Sequence, residues 1–265
     1  MHCSRIQSTL KHSCHYLLVL LITHALAAVP ALGANIIAFG DSITSGTGSK
    51  TGGYPPRLQQ IIERSGKPCT VYNQGVPSER TYQGIERIDE VLNTIPADAI
   101  LIMEGTNDIR SGYPIQTTRL NLQLMIDKAK AKGVEPILAT LTPSNQANSE
   151  FLIPKLYNPM IRKLAKDNNI TLVDQFTAIE KKWPALNLDG IHPNDDGYFY
   201  LAETWNKTVG EMISPTGNFT GPKTLSLQLL LVIMLLFITF FATIGKKVKN
   251  RSYSPPLLKH IGRNR

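Results

Sequence analysis

Cysteine is scarce in this chain, and its placement makes it scarcer. Of three cysteines, Cys3 and Cys14 sit near the N-terminus, and only Cys69 lies in the body of the sequence. A disulfide within that body is excluded, so the fold must rest on an apolar core. No Cys-x-x-Cys spacing or cysteine–histidine cluster occurs, so nothing points to a structural zinc site. Histidine is as thin: His2, His12, His15 and His24 precede the body, His260 follows it, and His192 is left alone. Acid is missing from both ends, because all 20 acidic residues fall between Asp41 and Glu211. Internal repeats and low-complexity blocks are also absent.

The formal charge of +8 therefore misdescribes the body of the chain. The last 20 residues hold Lys246, Lys247, Lys249, Arg251, Lys259, Arg263 and Arg265, and the first 33 hold Arg5 and Lys11. That leaves 19 basic residues against 20 acidic ones between them. A nucleic-acid binder carries its excess positive charge on the folded domain. This chain does not, and that class is set aside.

The two ends read as processing and membrane segments. Arg5 and Lys11 precede a mostly apolar run, Tyr16 to Val29, and small-residue cleavage sites follow at Ala25-Leu26-Ala27 and Ala31-Leu32-Gly33. This is the pattern of a secretory signal. Leu225 to Ile244 is a 20-residue apolar stretch without charge, followed by Lys246-Lys247-Val248-Lys249. As a helix it would be about as long as the ~30 Å bilayer core is thick. The expectation is a signal peptide over 1–33, a globular domain over 34–213, a stalk over 214–224, a transmembrane helix over 225–244 and a basic tail over 245–265. Positive charge after the helix would keep that tail cytoplasmic and the domain extracytoplasmic, periplasmic or extracellular.

Between the ends, short apolar runs alternate with helical patterns. Strands are predicted at Ile36–Phe39, Thr70–Tyr72, Ala99–Met103, Pro136–Leu141 and Thr171–Val173. Helices are predicted at about Pro56–Ser65, Tyr82–Leu92, Thr117–Lys132, Ile153–Asn168 and Asp195–Ile213. In the third, Leu120, Leu124, Ile126 and Ala129 suggest the apolar face, and Gly133 the stop. Such alternation predicts a five-stranded parallel sheet covered by helices on both faces. Ligands then bind beyond the carboxyl ends of the strands, so chemistry-bearing residues should follow strands.

Several do. Gly40-Asp41-Ser42 follows the first strand, and a serine hydroxyl becomes a nucleophile only when a base takes its proton. His192 is the one histidine available for that role. Asp189, three residues earlier across Gly190, is placed to orient its ring. Asn73-Gln74-Gly75 follows the second strand, where Gly75 would let a backbone N–H approach a substrate closely. Gly105-Thr106-Asn107-Asp108 follows the third, where the Asn107 amide could donate to a developing oxyanion. Asp108 reads as structural.

Gly40-Asp41-Ser42, Gly75, Gly105-Thr106-Asn107-Asp108 and Asp189-Gly190-Ile191-His192 together resemble, in order and spacing, the four sequence blocks of the GDSL/SGNH hydrolases. The resemblance spans about Asn35 to Val209. It implies a flavodoxin-like three-layer α/β/α sandwich, to which the transmembrane helix would be appended. It also implies a serine esterase with Ser42 as nucleophile, His192 as base and Asp189 orienting it. The Ser42 and Gly75 N–H groups and the Asn107 side chain would form the oxyanion hole, with no metal or organic cofactor. Substrates in the family are small esters, lipids or acylated sugars. Acyl transfer, carbohydrate deacetylation and a non-catalytic membrane-tethered binding module stay open as alternatives. One departure is Glu104: an acid here would disfavour acidic substrates if it pointed into the site, and would not if it faced away. The loop Gly46-Thr47-Gly48-Ser49-Lys50-Thr51-Gly52-Gly53 lacks the Gly-Lys-Ser/Thr ending of a phosphate cradle. Asn169, Asn206 and Asn218 each open a glycosylation sequon.

Overall fold

The computed structural model of the chain describes residues 33–222 and Leu236. In chain order the elements are β1 (Ala34–Gly40), α1 (Ser42–Ser45), α2 (Tyr54–Arg64), β2 (Cys69–Gly75), α3 (Thr81–Thr94) and β3 (Ala99–Met103). Then come α4 (Thr106–Arg110), α5 (Ile115–Ala131), β4 (Glu135–Ala139) and α6 (Ser149–Leu152), which runs through a π turn into α7 (Asn158–Asp167). β5 (Leu172–Val173), α8 (Gln175–Ile179), α9 (Trp183–Leu186) and α10 (Asp195–Val209) close the series.

The strands form one sheet in the order β2-β1-β3-β4-β5, every neighbouring pair parallel. Alternate residues of each strand serve opposite faces. Ile36, Ala38 and Leu101 join Leu58 and Ile62 of α2 and Leu201 and Trp205 of α10 in one buried cluster. Ile37, Phe39 and Ile102 join Ile88 of α3, Leu122 and Ile126 of α5 and Ile161 of α7 in the other. Burial on both faces is why β1, β3 and β4 read as mostly apolar runs. The three-layer α/β/α sandwich and its five strands are as expected.

On α5 the buried stripe is Thr118, Asn121, Leu122, Met125, Ile126 and Ala129. Leu120 and Leu124, expected on the core face, are 57% and 46% exposed. The i, i+3, i+4, i+7 set starting at Leu122 outcompetes them for the core, and both lie on the outer side of that stripe.

The strand order places the site. From β1 the chain moves outward to β2, then crosses back to put β3 on the other side of β1. The loops after β1 and β3 diverge there and leave a crevice at the carboxyl edge. Ser42 follows β1, and Asn107 follows β3.

Residues 214–220 fold back on the domain: Ile213 and Phe219 form an antiparallel bridge, and Phe219 is buried. The expected C-terminal transmembrane helix is corrected: among the described residues no helix is long and apolar enough to cross a membrane. Of 225–244 only Leu236 is described. An apolar run satisfies the length requirement of a span, but composition alone does not establish one continuous helix. The signal segment and the basic tail lie outside the described residues, apart from Gly33.

Candidate active site

β1 ends at Gly40, where a Cβ would stand 2.4 Å from both Met103 O and Thr44 Oγ1, so only glycine lets the strand end pack there. Asp41 caps α1, its Oδ1 accepting from the Ile43 N–H at 2.9 Å. Ser42 is the first residue of that helix. Its N–H has no intrahelical acceptor. Its Oγ lies 2.9 Å from Nε2 of His192, 150 residues away.

His192 is carried by a tight loop before α10. Asn187 and Pro193 form an antiparallel bridge, and the Leu188 N–H donates to His192 O at 2.9 Å. Gly190 adopts φ 86, a left-handed conformation that favours glycine. Asp189 Oδ1 accepts from the backbone N–H groups of Ile191 at 3.0 Å and His192 at 2.9 Å. Its Oδ2 lies 2.8 Å from His192 Nδ1. An ionised carboxylate only accepts, so Nδ1 carries a proton, and in the neutral ring Nε2 is left as the acceptor facing Ser42. Burial works against ionising Asp189, but the hydrogen bonds from His192 and Ile191 outweigh it and hold its carboxyl down at about 2.

On the other side of Ser42, the Asn107 side chain is buried at the start of α4. Its Nδ2 donates to Glu79 O at 2.9 Å and stands 3.5 Å from Asp41 Oδ2, so one amide hydrogen is only loosely engaged. Arg110 Nη1 donates to Asn107 Oδ1 at 3.3 Å, which fixes which end of the amide faces Glu79 O and Asp41. Behind this lies a clamp. Arg87 meets both carboxylate oxygens of Glu79, at 2.6 and 2.8 Å, and donates to Gln74 O at 2.8 Å. Its guanidinium lies 3.9 Å from the Phe39 ring centroid. One side chain from α3 thus ties together the carboxyl end of β2, the loop carrying Glu79 and the penultimate residue of β1.

Residues 38–199 match the model of the GDSL-like lipase/acylhydrolase family. The chain belongs to that family. It is an ester-cleaving hydrolase. It is 24% identical to the thioesterase 1/protease 1/lysophospholipase L1 of Escherichia coli over 203 residues, 75% of this chain and 92% of that protein. It is 25% identical over 242 residues to a Bacillus subtilis lipoprotein, covering 79% of this chain and 92% of the relative. Among solved structures, the lipase/acylhydrolase of Enterococcus faecalis superposes with a TM-score of 0.61 at 25% identity, over 69% of this chain and 98% of that one.

Within this GDSL-like fold, Ser42, His192 and Asp189 lie in hydrogen-bonding series, and Asn107 Nδ2 stands 3.5 Å from the Asp41 carboxylate. Gly75 does not present a free donor. Its N–H donates to Asn73 Oδ1 at 3.0 Å. A Cβ on Gly75 would stand 2.0 Å from Ser45 N, so this glycine serves the packing of α1 against β2. Three residues on, Ser78 is exposed and left-handed at φ 64, with no backbone hydrogen bond from its N–H. A non-glycine residue held there carries strain, which clusters at functional sites. Sequence reasoning missed it because serine carries no mark of a positive φ. It also missed Arg87.

Glu104 faces neither the crevice nor solvent. It is 1% exposed, both its carboxylate oxygens lack a hydrogen-bond partner, and it lies beside Glu79 across Gly84. Burial first, and then the charges of Asp41, Glu79 and Asp108, push its carboxyl well above the usual range. Burial likewise raises Asp41 to about 6. Asp108 is fully buried and accepts from Thr81 N at 3.0 Å, Thr81 Oγ1 at 2.5 Å and Thr118 Oγ1 at 3.1 Å, joining α3, α4 and α5. The glycine-rich loop after α1 is pinned to α10: Asp195 Oδ1 accepts from Ser49 Oγ at 3.0 Å and Lys50 N at 3.1 Å, and the Tyr198 hydroxyl donates to Thr47 O at 2.8 Å. Among the described residues no group of three or more histidine, cysteine, aspartate or glutamate side chains could hold a metal ion.

Proposed function

We propose that this esterase works through an acyl-enzyme on Ser42, with His192 as base and Asp189 as its orienting carboxylate. The observation that carries the proposal is the unbroken relay from Ser42 Oγ to His192 Nε2 at 2.9 Å and from His192 Nδ1 to Asp189 Oδ2 at 2.8 Å. Ser42 Oγ attacks the ester carbonyl while its proton passes to Nε2. The carbonyl oxygen becomes an oxyanion, stabilised by the Ser42 N–H and the Asn107 amide. His192 returns the proton to the departing alkoxide, leaving the acyl group on Ser42. Water, deprotonated by the same ring, releases the acid.

A third donor is assigned to the loop after β2. The Ser78 N–H is the group there without a backbone acceptor, whereas Gly75, the expected donor, must first break its bond to Asn73.

Hydrolysis outside the cytoplasm is supported by the signal-like first 33 residues and by the similarity to a lipoprotein. Small carboxylic esters and lipid esters are the substrate classes that fit the family. The test is Ser42→Ala on p-nitrophenyl butyrate with fluorophosphonate labelling of the wild type. Loss of both turnover and labelling in the variant is expected. Undiminished hydrolysis by Ser42→Ala would remove the nucleophile assignment.

A further inference from the structure

The site has an asymmetric rim. On the Asn107 side stand two guanidinium groups, the half-buried Arg80 and the exposed Arg110. Arg57, Arg87 and Arg162 each lie within 3.0 Å of a carboxylate. Arg80 and Arg110 have no such partner among the described residues, nor do Arg64 and Arg119, but only the first two are anchored near Asn107.

Both are held in place. Arg80 is the residue after Glu79, whose carbonyl accepts from Asn107. Its guanidinium lies 5.5 Å from the Tyr82 ring centroid and 5.7 Å from that of Tyr113. Those rings stack on each other at 6.0 Å, and Tyr113 O accepts from the Tyr157 hydroxyl at 3.0 Å. Such contacts limit the rotamers open to Arg80 while leaving its N–H groups free. Arg110 touches Asn107 Oδ1 with one N–H and keeps its remaining donors free. Of the acids below them, Asp41 and Asp108 are buried and accept from Ile43 N and from Thr81 and Thr118. Glu79 is paired with Arg87, and burial disfavours the charged form of Glu104.

We propose that Arg80 and Arg110 form a subsite for an anionic group on the substrate, a carboxylate or phosphate borne close to the scissile ester. Planar guanidinium forks suit such oxyanions, and the contact adds binding beside the oxyanion hole. The proposal rests on the acyl-enzyme reading above and specifies its substrate class. An anion could enter on either side of the ester, so both are tested.

On the acyl side, mono-p-nitrophenyl glutarate is compared with p-nitrophenyl methyl glutarate. On the alcohol side, 3-acetoxybenzoate is compared with its methyl ester. In at least one pair the anion is expected to have the higher kcat/KM, by about tenfold. That preference should shrink as ionic strength rises. It should also fall to about twofold or less in Arg80→Gln or Arg110→Gln. The readout is the ratio within a pair, so a general loss of rate does not affect it. Equal or faster turnover of the methyl ester in both pairs overturns the subsite, as does a preference that survives both substitutions. Should a variant fail to fold, the wild-type ratios and their salt dependence decide alone. Failure of the acyl-enzyme reading is separate, because it shows as Ser42→Ala retaining turnover of the uncharged esters.

Discussion

The carbonyl of Glu79 accepts from Asn107 Nδ2 at 2.9 Å, and the carboxylate of the same glutamate is gripped by Arg87. The main chain of Glu79 therefore aims the amide, and its side chain holds the main chain. Breaking the outer contact should disturb the inner one. Arg87→Met leaves a carboxylate that is 3% exposed without its counter-charge, at a cost of about 3–5 kcal/mol in stability. In the same variant kcat should fall about tenfold with KM little changed, since the donor acts on the transition state. Adding Glu79→Gln should restore part of the stability and little of kcat. Urea unfolding and steady-state kinetics on the three proteins measure this, and a full recovery of kcat would show that Arg87 acts on folding alone.

Asn107→Ala removes the amide itself. Turnover should drop about 10²–10³-fold, the usual effect of losing one oxyanion donor. The backbone of α4 should persist, because Asp108 continues to join α3, α4 and α5. Circular dichroism with kcat separates the outcomes. An unfolded variant would give Asn107 a structural role.

Glu104→Gln should stabilise the protein in a pH-dependent way. The folded state keeps a proton on Glu104 that the unfolded chain loses above about pH 4.3. Stability from this group is thus fully present below that pH and is lost as pH rises towards and through the raised folded value. A glutamine carries no charge at any pH. The unfolding midpoint should be nearly unchanged at pH 4 and about 3 °C higher at pH 8. An equal shift at both pH values would place the effect in packing instead.

Ser78→Gly relieves a left-handed φ at a serine. It should raise stability by roughly 0.5–1 kcal/mol and keep activity, because the backbone N–H is retained. Ser78→Pro removes that N–H and cannot adopt the conformation, so kcat should fall sharply. Active Ser78→Pro enzyme would take Ser78 out of the oxyanion hole.

Much of the fold was legible because both faces of the sheet are buried. That burial makes the core strands β1, β3 and β4 nearly all apolar, and it imprints a helical stripe on each covering helix. The stripe on α5 was misread at Leu120 and Leu124 because a helix with apolar residues around much of its circumference offers two competing faces. The short helices α4, α8 and α9 left no periodic trace, being too short to complete a stripe. The C-terminal apolar run was legible as composition, and no membrane-spanning helix is found among the described residues.

Taken by itself, the amino-acid sequence determined which side chains could do chemistry. One histidine in the domain, with an aspartate three residues before it and a serine after a strand, left few assignments open. Tertiary structure alone decided the environment of those groups. The parallel register that sets Gly40 opposite Gly75 puts a packing glycine where a donor was expected and leaves the loop to Ser78. It also brings Arg87 under Phe39, turns Glu104 inward, and leaves Arg80 and Arg110 unpaired around Asn107. Contacts between residues far apart in the chain depend on which strands are neighbours and in what register. Local patterns of residue type carry no record of that.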